Sequence, residues 1–322
     1  MLVVSAQRAA CALLISFAAA TPALASGGYT ITPLDVPGSA TTALTGINDS
    51  GSIVGYYTQG DQTSGFLYQN GVFTTVAGPA GSTDSTLRGI SNTGLIVGNF
   101  ATADKNLLQQ TFLFDGSTYT VLALPFGDGA VRSISPNGRY LAGDVYGNKS
   151  GFVYDLLNGT AQLFGTTTFT TVAQGVNDLG QVMGSRTFIP AGGNAAVATP
   201  FVFDAVSGTY IENPQDYPGT GDPRPRAINN NGVIGGFDGN NTTAFIRDSN
   251  GSITFLPNDS THFSTIYGIN SAGAAVGYSY ELFVGGVQSP HGFIATPVPE
   301  PATLAMLAIG LAVLALRRRA SV

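Results

Sequence analysis

From Tyr29 to Ile294, apolar and polar residues alternate in short runs, such as Val72 to Val76 and Tyr119 to Leu122. Glycine and small polar residues separate the runs. Alternation with a period of two over about four to eight residues predicts half-buried β-strands. No stretch between the two ends of the chain shows a helical period.

The runs belong to a repeat. A turn signature of the form polar-x-x-Gly occurs six times, at Asn48 to Gly51, Ser91 to Gly94, Ser135 to Gly138, Asn177 to Gly180, Asn229 to Gly232 and Asn270 to Gly273. Its glycines are spaced by 43, 44, 42, 52 and 41 residues. Ile or Val precedes each signature, and a short apolar run follows it. That run closes on Gly55, Gly98, Gly143, Gly184, Gly236 or Gly277. Asn, Asp or Ser at the first turn position bonds the backbone just ahead, and Gly at the fourth accepts a positive φ. The signature therefore joins two antiparallel strands. Asp49 and Asp178 lie two residues from a turn glycine and read as hairpin residues, not catalytic ones.

A second signature is centred on Phe66, Phe112, Phe152, Phe201, Phe245 and Phe293. In the first five units a turn and a further short strand follow it. Four strands in 41 to 52 residues is the unit size of a propeller blade. The sixth unit stops after Gly292-Phe293-Ile294, while an orphan strand, Tyr29 to Leu34, precedes the first unit. The expected fold is all-β: a six-bladed β-propeller of four-stranded blades, closed by the N-terminal strand. An open β-solenoid is the alternative, and it leaves the split repeat unexplained.

Both ends read as addresses. Arg8, the apolar stretch Ala9 to Ala20, Pro22 and Ala23-Leu24-Ala25 have the order of a secretory signal peptide cleaved after Ala25. An uncleaved anchor is the other reading. At the far end, Pro299-Glu300-Pro301 leads into an apolar run ending at Leu316, then Arg317-Arg318-Arg319. As a helix that run would reach roughly 22 Å, enough to cross a bilayer with help from snorkelling arginines. The arginines would stay on the cytoplasmic side. The expected domains are a signal peptide (1–25), a propeller (26–296) and a C-terminal sorting segment with a transmembrane helix and basic tail (297–322).

This C-terminal order resembles the PEP-CTERM sorting signal of exopolysaccharide-producing Gram-negative bacteria. The resemblance implies processing by an exosortase near Pro299-Glu300-Pro301, with transient membrane anchoring and then release or attachment at the surface. A permanent anchor is the alternative. The repeats resemble a bacterial extracellular family named for a His-Ala-Phe repeat. Its Gly-Ile-Asn-x-x-Gly-x-Val-Val-Gly segment is matched closely at Gly46 to Gly55, Gly89 to Gly98 and Gly268 to Gly277. Only His291-Gly292-Phe293 keeps the histidine of the naming tripeptide. That resemblance implies export and a repeat fold, and brings no established activity.

Composition narrows the chemistry. Charged residues make up only 10% of the 322, so the chain is apolar enough to bury a core. Between the two ends lie 9 basic and 18 acidic residues, which disfavours nucleic acid as a partner. Cys11 is the only cysteine and precedes the cleavage point, so the mature body has no disulfide or thiolate. With two histidines, the common zinc sites are excluded. No G-x-S-x-G elbow and no calcium-type Asp run occurs, and Asp61, Asp222, Asp238 and Asp259 read as solvated loop carboxylates. No catalytic residue, metal or cofactor is expected.

Alternate connections fall on opposite faces of a blade. The tight turns share one face, and the variable loops and blade-to-blade crossovers share the other, where binding evolves most readily. The most unusual crossover supplies a candidate binding loop: Asp216, Tyr217, Asp222, Arg224 and Arg226. Tyr56, Tyr57, Phe100, Tyr146, Phe237, Tyr278 and Tyr280 lie near that face, to stack on sugars or to pack between blades. The expected protein is a non-enzymatic cell-surface or matrix module, exported with signal peptidase and exosortase as partners. It would bind exopolysaccharide or a surface protein. The alternative is an extracellular glycoside hydrolase or lyase.

Overall fold

The turn signatures become hairpins. The computed structural model describes residues 28–104, 110–127, 129–146, 149–165, 170–188, 197–210, 217, 219–257, 262–282 and 289–298. The chain opens with β1 (Tyr29–Pro33). The first blade is then β2 (Thr41–Ile47), β3 (Ile53–Gln59), β4 (Gln62–Gln69) and β5 (Val72–Val76). The second is β6 (Ser82–Ile90), β7 (Ile96–Thr102), β8 (Gln110–Phe114) and β9 (Tyr119–Leu122). The third is β10 (Gly129–Ile134), β11 (Tyr140–Val145), β12 (Gly151–Asp155) and β13 (Thr160–Phe164). The fourth is β14 (Thr170–Val176), β15 (Gln181–Phe188), β16 (Val197–Asp204) and β17 (Thr209–Tyr210). The fifth is β18 (Pro223–Ile228), β19 (Ile234–Asp238), β20 (Thr243–Arg247) and β21 (Ile253–Phe255). The sixth is β22 (His262–Ile269), β23 (Ala275–Glu281) and β24 (His291–Pro297), with β1 as its outer strand.

Every sheet is four-stranded and antiparallel, so the fold is the all-β six-bladed propeller that the repeats predict. The first strands of successive blades neighbour one another around the axis, and β22 lies beside β2 to close the ring. The expected signal helix, with Ala23 and Ala25, and the C-terminal helix, with Pro299 to Pro301 and Arg317 to Arg319, fall outside the described residues. Among the described residues no helix is long and apolar enough to cross a membrane.

The two sequence signatures are cross-strand partners. The closing glycine of each second strand faces the phenylalanine of its third strand: Gly55 and Phe66, Gly98 and Phe112, Gly143 and Phe152, Gly184 and Phe201, Gly236 and Phe245, Gly277 and Phe293. All six phenylalanines are at most 5% exposed, and the Phe66, Phe112 and Phe152 rings lie against their glycines. Packing then runs from blade to blade. Val97 of blade two meets Val131 and Phe152 of blade three, and Met183 of blade four meets Ile228 and Phe245 of blade five. Val276 of blade six meets Leu44 and Phe66 of blade one, so the core is continuous through the closure.

The turn residues also tie blades together. Asn48, Asn177, Asn229 and Asn270 accept backbone N–H groups of their own turns on Oδ1. Their amides donate to the next blade: Asn48 to the Ser91 carbonyl (3.1 Å), Asn177 to Asn229 (3.3 Å), Asn229 to Asn270 (2.9 Å) and Asn270 to Asn48 (3.2 Å). Asp49 accepts from the Asn92 amide (2.7 Å) on one side and the Ser271 N–H (2.8 Å) on the other. Asp178 likewise accepts from Asn137 N–H (2.7 Å) and the Asn230 amide (2.7 Å). Both aspartates are structural, and they act between blades as well as within a turn.

β1 is stapled in place at both ends. Val298 N–H donates to the Gly28 carbonyl (3.0 Å) and Leu34 N–H to the Gly292 carbonyl (2.9 Å). Just beyond the strand, Asp35 accepts from Gly292 N–H (2.9 Å) and pairs with His291 Nδ1 (3.0 Å), the one histidine kept in the repeat tripeptide. Burial, with the nearby Asp248 charge adding to it, pushes the Tyr29 phenol up to about 12. The phenol therefore ionises more readily in the unfolded chain. Its contribution to stability is complete below the ordinary tyrosine range near pH 10 and is lost as pH rises through about 12. Thermal melts between these limits should fall with pH, and Tyr29→Phe should flatten part of that decline. An unchanged slope in the variant would show that β1 is not the alkaline weak point.

Candidate functional site on the propeller axis

Each first strand holds one residue more than its partner needs. The register shifts between Leu44 and Gly46, Leu87 and Gly89, Val131 and Ser133, Ala173 and Gly175, Pro225 and Ala227, and Ile266 and Gly268. The bulged residues are Thr45, Arg88, Arg132, Gln174, Arg226 and Tyr267. A bulge re-aims one side chain out of the ladder. On the innermost strand of a propeller that direction is the axis, so three of the six blades put an arginine there.

Coupling across the ring agrees with this placement. Arg88 of blade two is within electrostatic reach of Arg132 of blade three and Tyr267 of blade six. Tyr56 of blade one is within reach of Arg88, Arg132, Arg226 and Tyr267. Blades that distant meet only at the centre.

Small residues follow the bulge: Gly46, Gly89, Ser133, Gly175, Ala227 and Gly268. They form a neck. A Cβ on Gly46 would stand 2.9 Å from the Gly89 Cα, and one on Gly268 would stand 2.9 Å from the Gly46 Cα. The axial cavity through this neck, reaching Arg88 and Tyr267 on one side and Asn48 and Asn270 on the other, is about 40 Å³. That is room for water and not for a sugar ring. The bulged residues precede the neck in each strand, so the side chains lie on the side of the variable loops and crossovers.

The three arginines are held differently. Arg132 forms a two-pronged ion pair with Asp144 of β11, Nε to Oδ1 at 2.7 Å and Nη2 to Oδ2 at 3.3 Å. Burial is the largest influence and works against the Arg132 charge, but the Asp144 hydrogen bond and charge, with Tyr146 and Tyr267, together outweigh it and leave the guanidinium above its ordinary value. The Arg88 guanidinium lies 5.5 Å from the Tyr56 ring centre. Burial pulls it below its ordinary value, Tyr56 opposes that, and Arg132 adds to it. Arg226 sits between Phe237 (5.1 Å) and Tyr267 (4.7 Å), a cation–π sandwich. The Nε–H groups of Arg88 and Arg226 are buried and have no hydrogen-bond partner.

Aromatic rings line the side by blades five and six. Tyr267 stacks on Tyr278 at 5.4 Å and 21°, and Phe263 stacks on Tyr280 at 4.8 Å and 20°. Phe237 meets Phe263 edge-on at 5.0 Å. The Tyr267 and Tyr278 hydroxyls are 3.4 Å apart. Burial, then Tyr267, pushes the Tyr278 phenol well above the ordinary tyrosine range. Of the aromatics expected near the variable face, Phe100 is core instead, 4% exposed and packed on Phe112.

The candidate binding loop is not brought together as one patch. Tyr217 is 5% exposed and packs on Phe245, with Arg247 over its ring at 5.3 Å. Asp222 and Arg224 form a two-pronged ion pair with each other at 2.9 Å, and Asp238 caps the loop by accepting Asp222 N–H at 2.8 Å. Asp216 falls outside the described residues. Arg226 alone reaches the axis. Sequence reasoning missed Arg88, Arg132 and Tyr267. The signal was available as the residue two before the Ile or Val that precedes each turn, read down the six aligned repeats. Among the described residues no group of three or more His, Cys, Asp or Glu is placed to hold a metal.

Residues 297–319 match the PEP-CTERM protein-sorting motif, which marks the chain for export and for sorting to the surface by an exosortase. No curated protein matches the chain. Solved structures similar to it include a catalytically inactive virginiamycin B lyase from Staphylococcus aureus with quinupristin. It is 12% identical, with a TM-score of 0.48 over 84% of this chain and 100% of that one. TolB from Acinetobacter baumannii is 14% identical, with a TM-score of 0.49 over 78% and 65%. The propeller domain of the Trilobed protease from Pyrococcus furiosus is 12% identical, with a TM-score of 0.47 over 80% and 94%. These likenesses bring no activity to the chain.

Proposed function

We propose that the protein is a non-catalytic, surface-sorted propeller of the His-Ala-Phe repeat type that binds exopolysaccharide at the open end of its axis. The observation that carries the reading is the axial site itself, where guanidinium groups stand among aromatic rings above the neck, on the side of the variable loops. Polysaccharide recognition uses this combination of charge-assisted hydrogen bonds and ring faces. Two features speak against the lyase or hydrolase alternative. Asp144, the carboxylate that meets an axial arginine, is held in a two-pronged ion pair, and among the described residues no second carboxylate is paired with it there. Tyr278 is pushed away from the ionised form that a catalytic base needs. Transient anchoring by the C-terminal helix before processing belongs to the same proposal.

The test begins with intact mass of protein recovered outside a host with an exosortase and a host without one. Loss of both ends is expected only where the enzyme is present. Retention of the tri-arginine tail in both hosts would sink the sorting step. The recovered protein should then co-sediment with the host's exopolysaccharide without releasing reducing ends or unsaturated sugars. Sustained release would turn the reading into an enzyme.

A further inference from the structure

We propose that the recess above the neck is a closed-bottomed site for the acidic end of a sugar chain, with a carboxylate taken on the Arg88 and Arg226 guanidinium groups. The proposal deepens the preceding reading and rests on it.

Charge is the first argument. The body has twice as many acidic as basic residues, 18 against 9, yet three of the nine cations converge on one axis. Asp144 answers one of them. The other two each keep a buried Nε–H without an acceptor. A buried, unpaired donor costs more than a hydrogen bond returns. A fold that retains two such donors, on blades two and five across the axis from each other, fits an external anion that completes them. Arg132 sharpens the need, because its charge lies close enough to disfavour that of Arg88.

Geometry selects the anion. Arginines placed over aromatic faces, as Arg88 is over Tyr56 and Arg226 over Phe237 and Tyr267, keep N–H groups for hydrogen bonding beyond the rings. A guanidinium edge matches a carboxylate in two-pronged fashion. The flanking tyrosine rings suit the C–H face of a sugar. The neck sets the direction. Gly46, Gly89 and Gly268 bring neighbouring backbones into contact, so a chain cannot thread through and must enter end first.

The test is calorimetric titration of the protein recovered from the exosortase-bearing host. The probes are trigalacturonate, the neutral galactose trisaccharide and inorganic sulfate. Trigalacturonate should bind, more weakly as salt rises, and the neutral trisaccharide at least tenfold more weakly. Sulfate alone should also bind at least tenfold more weakly, and a polygalacturonate should bind in proportion to chain ends and not to sugar units. Arg88→Gln and Arg226→Gln should each cost at least tenfold. Arg88→Lys, which keeps charge and loses the fork, should fall between, and Arg139→Gln, paired with Asp155 by hydrogen bonds of 2.8–3.2 Å away from the axis, should change nothing. The glutamine variants each remove a buried Nε–H that has no acceptor, so their melting temperatures should match or exceed that of the parent. Equal binding of trigalacturonate by a folded Arg88→Gln, Arg226→Gln double variant would overturn the proposal. So would equal binding of the neutral sugar, or sulfate as strong as the acidic sugar, which would mean a free oxyanion site. If the double variant still co-sediments with host exopolysaccharide as the parent does, this inference fails, and of the broader reading surface sorting and exopolysaccharide binding stand while its axial location falls. If the parent itself does not co-sediment, the broader reading fails first.

Discussion

Deleting Gly28 to Leu34 is expected to open the ring and lower the melting temperature by about 10 °C or more. Five residues of β1 pair with β24, from Tyr29 opposite Pro297 to Pro33 opposite Phe293. Tyr29 and Ile31 also pack on the core shared by blades five and six. Each hydrogen bond contributes about 1 kcal/mol net and each well-buried side chain about 1.5–3 kcal/mol, against about 1–2 kcal/mol of ordering per residue. The strand's own net share is therefore small, within a few kcal/mol of zero. Its position matters more. Without β1, β24 becomes a bare edge in the one blade that joins the two ends of the ring, and a long unpaired edge recruits other chains. The deleted protein should melt early and broadly and elute as an oligomer, and a synthetic Gly28 to Val36 peptide should restore both properties in part. A monomer melting within about 2 °C of the parent would show that closure by β1 is dispensable.

That strand was legible in the sequence, and the axial site was not, for a physical reason. Turn chemistry is local: Asn229 and Gly232 specify a hairpin within four residues, and six such hairpins at even spacing count the blades. The missing strand after Phe293 and the spare one at Tyr29 are counted the same way. A bulge is a property of two strands in register, so Arg88 reads along β6 as one more alternating residue until its pairing with β7 is known. The crossover misled in the opposite direction. Its prolines and charges looked exposed, yet Tyr217 fills the gap between blades four and five, and Asp222 and Arg224 satisfy each other. The asparagines were read as turn formers and are that, but their second amide bond to the next blade needs the ring to be closed first.

Gly184→Ala should be among the most damaging single substitutions in the body, costing about 3 kcal/mol or more. A Cβ at Gly184 would overlap the Val172 carbonyl oxygen, with the Val172 carbonyl carbon at 2.9 Å and the Ala173 Cα at 3.1 Å. All three are backbone atoms of the innermost strand, so no side chain can turn aside to make room. Overpacking of a core commonly costs about 1–3 kcal/mol, and the rigid backbone on this side puts the residue at or beyond the upper end. Gly184 also faces Phe201 across the β15–β16 pair, and Phe201 is 1% exposed, so the blade offers little slack on that side. For a domain of this size about 3 kcal/mol corresponds to a drop of roughly 6–12 °C. Gly28→Ala is the matched control, since nothing lies within 4 Å of its Cβ position, and it should leave stability within about 0.5 kcal/mol. The substitution also bears on the axis. Val172 and Ala173 immediately precede the bulged Gln174, so a shift of β14 away from Gly184 would press it towards the axis and crowd the neck at Gly175, where a Cβ would stand only 3.0 Å from the Arg226 carbonyl oxygen. Because Arg226 belongs to that neighbouring strand, Gly184→Ala should weaken axial anion binding together with stability. A variant as stable as the parent would show that the closing glycines set the path of the chain and not the packing of the blade.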